Sequence, residues 1–344
     1  MGSLRNVGAE TARDIDWDGV RLHVVSGKGG TGKTTVAAAL ALALAAGGRK
    51  VLLMEVEGRQ GIAQIFDLPP LPYEERKIAV APGGGDVYAL ALDPEEALLE
   101  YLEMFYGIKR MGKALTKMGV VDFATTIAPG LRDVLVTGKA SEAVRRRDKS
   151  GNRVYDAIVM DAPPTGRIAR FLNVTQEVAG LARVGPVRNH ADMVRGVVAS
   201  PDTAVHFVTL LEEMPVQETL DGIAELHTAK LPVGGIFINM VRPAVLPASV
   251  LDAAYHNRFD HSELMLGLKA AGLADGKADA SNVAEALAQE VSEHARRTEL
   301  EKRERGSLEA AGVPCYDLPL LPEGADDLAG LYELAEAIRK QGAA

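Results

Sequence analysis

The chain has 344 residues, a formal net charge of −9 and one cysteine. That length fits two domains, or one large α/β domain carrying an insertion, and can bury a sizeable core. The acidic balance, with no basic run longer than Arg145-Arg146-Arg147, argues against wrapping nucleic acid or an anionic membrane. The lone Cys315 excludes an intrachain disulfide and any multi-thiolate metal site.

In chain order, residues 1–20 read as a polar tail without a signal-peptide pattern, and no run approaches the length of a membrane span. A cytoplasmic protein is expected. Residues 21–26 are an apolar strand, followed by Gly27-Lys28-Gly29-Gly30-Thr31-Gly32-Lys33-Thr34-Thr35. Gly27, Gly32, Lys33 and Thr34 fill the phosphate-loop pattern G-x-x-x-x-G-K-[ST]. In that pattern backbone N–H groups curl around a phosphate chain, the lysine neutralises it, and the threonine hydroxyl ligates Mg²⁺. The Ala-rich run 37–46 after it is an excellent helix former that stops at Gly47-Gly48, so phosphates would sit on a helix N-terminus. Lys28 is a second lysine that an ordinary phosphate loop does not need.

Further strand-like runs lie at 50–57, 87–92, 156–162, 203–211, 233–240 and 313–321. They are mostly continuous in Val, Ile and Leu, as suits strands covered by helices on both faces. Helical patterns between them predict an α/β fold with a doubly wound, mainly parallel sheet of seven to eight strands, its ligand site beyond the carboxyl ends. The domain prediction is a sheet domain over 21–344, interrupted by a helical subdomain at about 94–150 and 175–200. Residues 244–310 form a further helical stretch.

The strand tips supply the candidate residues. Asp161 ends the strand 156–162 and precedes Ala162-Pro163-Pro164-Thr165-Gly166; beside a phosphate loop it can hold the water shell of Mg²⁺, and the Pro/Gly loop can move with the γ-phosphate. Glu57, with Glu55 as its rival, ends the second strand and can orient or deprotonate an attacking water. Glu212 and Asn239 end two later strands, and an amide at position 239 can hydrogen-bond an adenine edge. Pro319, Leu320 and Pro322 follow the last strand, as an apolar wall for a base or as a plain strand exit.

The loop resembles the deviant phosphate loop of a group of dimeric ATPases. These include the arsenite-pump ATPase, the tail-anchored-protein targeting ATPase, the nitrogenase iron protein and the septum-site and chromosome-partition ATPases. Asp161-Ala-Pro-Pro-Thr-Gly166 is similar to the D-T-A-P-T-G switch of the arsenite-pump and tail-anchor branch. Val121–Val144 with Pro129-Gly130, Glu212-Glu-Met-Pro215, Asn239 and Pro319–Pro322 extend the likeness over nearly the whole chain. The resemblance implies a Mg²⁺-dependent ATPase that closes as a nucleotide-sandwich dimer, with itself or with a paralogous subunit. In that dimer Lys28 reaches phosphates bound by the partner, as an arginine finger does. It also implies that Glu57 stands where the family has a water-activating aspartate, Glu212 near the nucleotide, and Asn239 at the adenine.

The departures carry information too. Glu57-Gly58-Arg59-Gln60 stands where the family has D-P-A-H, and Arg167 where it has His, so the hydrolysis rate is open. One cysteine cannot form the tail-anchor branch's zinc site, the arsenite pump's metalloid site or an iron–sulfur site, so ATP and Mg²⁺ are the expected cofactors, without zinc or cluster. Two rival functions remain: a slowly or non-hydrolysing regulatory subunit, and a DNA-partition or membrane-positioning ATPase, against which the acidic charge argues. Met104, Met111 and Met118 recur every seven residues. Core packing is the favoured reading of that spacing, with an adaptable face for a hydrophobic or membrane-protein client as the other. The last helix, 326–340, has an apolar side suited to packing on the sheet.

Overall fold

A computed structural model of the chain describes residues 16–106, 129–181, 186–258, 260–273, 277–322, 324–325 and 327–344. The sheet has eight strands: β1 (Leu22–Gly27), β2 (Lys50–Glu55), β3 (Arg76–Val80), β4 (Asp86–Ala91), β5 (Ala157–Asp161), β6 (Thr203–Thr209), β7 (Val233–Val241) and β8 (Cys315–Pro319). Their order is β3-β4-β2-β5-β1-β6-β7-β8, parallel throughout except for the antiparallel pair β3–β4. The helices are α1 (Lys33–Ala45), α2 (Gly61–Ile65), α3 (Pro94–Tyr106), α4 (Pro129–Arg145), α5 (Thr165–Leu181), α6 (Pro186–Val198), α7 (Glu213–Ala229), α8 (Ala248–Tyr255), α9 (His261–Ala270), α10 (Lys277–Glu309) and α11 (Leu328–Lys340).

Strand side chains alternate between two apolar layers, which explains the unbroken Val/Ile/Leu runs. In β2, Val51 and Leu53 join α1 and α11 on one face, while Leu52 and Met54 join Val136 and Ala140 of α4, Phe171 of α5 and Val194 of α6 on the other. Helix α1 is apolar on all sides because it is covered on all sides: every residue from Val36 to Ala45 is buried, between the sheet and α11. Helix α11 is capped by Asp327, which accepts from the Gly330 N–H at 2.8 Å, and it buries Leu331, Leu334, Ala335 and Ile338. Met111 and Met118 lie outside the described residues, and of Met104 only the backbone, in α3, is described.

Strand β3 is absent from the predicted runs. It is an edge strand in which only Ala79 is buried, and its charged residues do what edge charges do, Lys77 pairing with Asp86 at 2.6 Å. No helix among the described residues is long and apolar enough to cross a membrane.

Two histidines sit inside the sheet. Gly235 N–H donates to His206 Nδ1 at 2.9 Å, so the His206 proton is on Nε2, which donates to His23 Nδ1 at 3.1 Å. Burial pushes the His23 pKa down to about 3 and holds His206 well below its ordinary value. Both are therefore neutral in the folded chain and titrate near 6.5 once unfolded. Their contribution is intact above that pH and is lost as pH falls below it, for His23 by about 2 kcal/mol at pH 5. The thermal midpoint of His23→Leu should accordingly fall less between pH 7 and pH 5 than that of the parent chain; equal slopes in the two proteins would sink this assignment.

Candidate functional site

The first glycine of the loop is required by the sheet. Gly27 ends β1 beside β6, and a Cβ there would overlap the Val208 carbonyl oxygen. The chain then rises clear of the strand tips, with Gly29 and Gly30 exposed, and returns at Gly32. Gly32 has φ +87°, a conformation that favours glycine, and a Cβ on it would run into the amide of Asn239. Thr31 closes the loop internally, its hydroxyl donating to the Lys28 carbonyl at 2.9 Å. Lys33 and Thr34 open α1, so the unpaired N–H groups of its first turn face the loop.

Asp161 at the tip of β5 meets this helix start. It accepts a 2.7 Å hydrogen bond from Thr34 Oγ1 and is buried. Burial pushes its pKa up to about 6; the Thr34 hydrogen bond and Lys33 oppose the rise, and Glu55 and Glu57 add to it. A buried carboxylate joined to the loop threonine, with further carboxylates nearby, fits a hydrated divalent cation. Behind it, Ser26 Oγ donates to the Pro163 carbonyl at 2.7 Å and Ala162 N–H to the Val25 carbonyl at 2.9 Å, tying the Pro-Pro-Thr-Gly segment to β1.

The two acids of the second strand divide. Glu55 is buried and accepts from the N–H groups of Gly61 at 3.2 Å and Ile62 at 3.1 Å, so it is spent on the start of α2. Glu57 is half-buried, with Arg59 3.6 Å away, and keeps a free side for solvent. Gln60 holds the following loop by two hydrogen bonds with the backbone of Leu71, at 3.1 and 2.7 Å.

Asn239 is buried, and its Nδ2 donates to the Thr31 carbonyl at 2.9 Å while its Oδ1 accepts from the Met240 N–H. It is thus a brace for the phosphate loop, with one N–H still free for a ligand. Glu212 and Asn239 share a cleft of about 200 Å³ at the tips of β6 and β7, walled by Arg297, Leu300 and Glu301 of α10. The ion pair of Arg242 with Glu301, at 2.8 Å, ties that helix to the strand tip. Pro319, Leu320 and Pro322 do not line this cleft; they leave the neighbouring strand, the Leu320 N–H donating to the Val241 carbonyl at 2.9 Å.

Lys28 turns back onto its own chain and pairs with Glu218 of α7. Nothing in the local sequence announces Glu218: it lies 190 residues from Lys28, in a helix whose other charged residues face solvent.

A doubly wound parallel sheet with a phosphate loop after β1, a threonine–aspartate pair at its mouth and acids at the adjacent tips defines a P-loop ATPase. The profile of the anion-transporting ATPase family (ArsA_ATPase) matches residues 20–198, and the chain belongs to that family. It is similar to the ATPase BagA of Mycobacterium tuberculosis, at 54% identity over 324 residues, 94% of each chain. More distant likenesses are to the ATPase GET3 of Kluyveromyces lactis, 23% identical over 251 residues (63% of this chain, 71% of the other), and to ATPase get3 of Schizosaccharomyces pombe, 28% identical over 207 residues (58% and 57%).

Proposed function

We propose that this ATPase works as a Mg²⁺-dependent dimeric switch, closing on ATP and opening after hydrolysis, and that the cycle drives a partner or client. The observation that carries the reading is the placement of Lys28. It stands on an exposed loop at the mouth of the site, and its charge is not needed by a loop that already has Lys33.

In this reading Gly27, Gly29, Gly30, Thr31, Gly32 and Thr35 supply the backbone cradle, and Lys33 neutralises the phosphate chain. Thr34 directly, and Asp161 through water, would hold Mg²⁺, which supplies charge neutralisation on the phosphate oxygens. Glu57 orients the attacking water. Lys28 acts on nucleotide held by the other subunit, a second copy or a paralogue. Glu212 and Asn239 line the cleft proposed for the nucleoside, and Pro319, Leu320 and Pro322, on the exit of the neighbouring strand outside that cleft, would reach it only as an outer wall. A hydrophobic or membrane-protein client is proposed to meet the protein on the side that carries α3, α4 and α6, the described helices of the segments 94–150 and 175–200. A slow-turnover regulatory subunit is the second reading, favoured by Glu57, one methylene longer than the family aspartate and close to Arg59.

Sedimentation velocity tests the switch. The full chain with Mg²⁺ and a non-hydrolysable ATP analogue should sediment as a dimer and loosen when ADP replaces the analogue; the same distribution with both nucleotides would overturn it.

A further inference from the structure

Lys28 is the cation on which the two-chain reading depends, and here a carboxylate of its own subunit holds it. Glu218 lies in the second turn of α7, which is anchored by buried Pro215, Val216 and Thr219, with Thr219 Oγ1 donating to the Pro215 carbonyl at 2.8 Å. The loop carrying Lys28 is fixed at one end by Gly27 against β6 and at the other by Asn239 on Thr31. Both ends of the ion pair therefore rest on rigid supports, so it belongs to the fold of the single chain. The two side chains are 31% and 35% exposed, accessible enough for the pair to open without disturbing the core.

While the pair is closed, the ammonium is offset by a carboxylate and its rotamers are set toward α7. Its charge is available to another chain only after it leaves Glu218. With magnesium bound, a nucleoside triphosphate keeps about two negative charges and a diphosphate about one, so the exchange away from a single carboxylate favours the triphosphate.

We propose that Glu218 is a positioning residue for Lys28: it holds the lysine in cis until the triphosphate of an approaching second subunit draws it away, tying assembly to ATP. The inference rests on the dimeric reading above. Each chain must release one lysine, and a partly exposed pair of this kind is worth a factor of about 3, so two releases amount to about tenfold in the dimer constant.

The test is the protein concentration at half-dimerisation, read by sedimentation with Mg²⁺ and either the ATP analogue or ADP, for the full chain and its variants. E218Q and E218A should each lower that concentration about tenfold with the analogue and should form dimers with ADP at concentrations where the parent does not. E218D should return to within about twofold of the parent. In a K28A background, E218Q should change nothing. Parent-like thresholds for E218Q and E218A, or the same shift with and without Lys28, overturn the proposal and leave the dimeric reading standing. A parent chain that stays monomeric with the analogue overturns both, and that arm alone reveals it.

Discussion

Lys28→Ala is expected to lower kcat by about 10³-fold, the scale of an arginine finger, while nucleotide binding by the isolated chain changes by less than about threefold. The separation follows from position. Lys33 is the first residue of α1, where the phosphates are proposed to sit, whereas Lys28 extends from the outer part of the loop and is bound to Glu218 in the single chain. Lys33→Ala should therefore lose binding and hydrolysis together. A coupled phosphate-release assay and a fluorescent ATP titration read the two quantities separately. Because the lysine is proposed to act across subunits, mixing the two inactive variants should restore activity. In a mixed dimer the Lys28→Ala chain binds ATP and the Lys33→Ala chain contributes Lys28, so random pairing gives up to about a quarter of the parent rate. Parent-like turnover by Lys28→Ala would remove the lysine from the reaction, and no recovery on mixing would place its action within one chain.

Asp161→Asn should lower hydrolysis by at least about 10²-fold and at the same time stabilise the nucleotide-free protein. The carboxyl is buried and its pKa is pushed up from 3.8 to about 6. A raised carboxyl pKa means that the folded state holds the proton more tightly than the unfolded state. Its favourable contribution is fully present below pH 3.8 and is lost as pH rises through 6, which amounts to as much as about 3 kcal/mol at pH 7.5. An asparagine carries no charge to bury, so the variant should melt a few degrees higher than the parent at pH 7.5, and the difference should vanish near pH 4. Mg²⁺ with ATP should raise the parent's midpoint by more than the variant's, since only in the parent does the cation also restore what burial takes from the carboxylate. A variant less stable than the parent at pH 7.5 would show that Asp161 is held by its hydrogen bond to Thr34 and not as a strained buried charge.

How much could be read in advance depended on how local each interaction is. The phosphate loop was legible because glycines, lysine and threonine lie within nine consecutive residues between a strand and a helix, and each type has a stated reason to be there. Asp161 was legible at longer range, since parallel strands bring their carboxyl tips to one edge and any acid at a tip becomes a neighbour of the loop. Strand β3 was not, because an edge strand with one buried residue has no apolar run to detect. The competition between Glu55 and Glu57 was also undecidable from spacing. Only the turn that starts α2 at Gly61 shows that Glu55 is consumed by two backbone N–H groups, leaving Glu57 as the freer acid.

What the chain's residues determined by themselves were the sheet class, the phosphate loop and the ATPase family, because these rest on short patterns of hydrophobicity and backbone freedom that survive in any fold able to use them. What only the tertiary structure decided were the partners of those residues: Thr34 on Asp161, Asn239 on the Thr31 carbonyl, and Lys28 on Glu218. These bonds join positions 127, 208 and 190 residues apart. Their existence depends on which strand lies next to which and on the angle at which α7 leaves β6, and residue spacing along the chain carries no information about either.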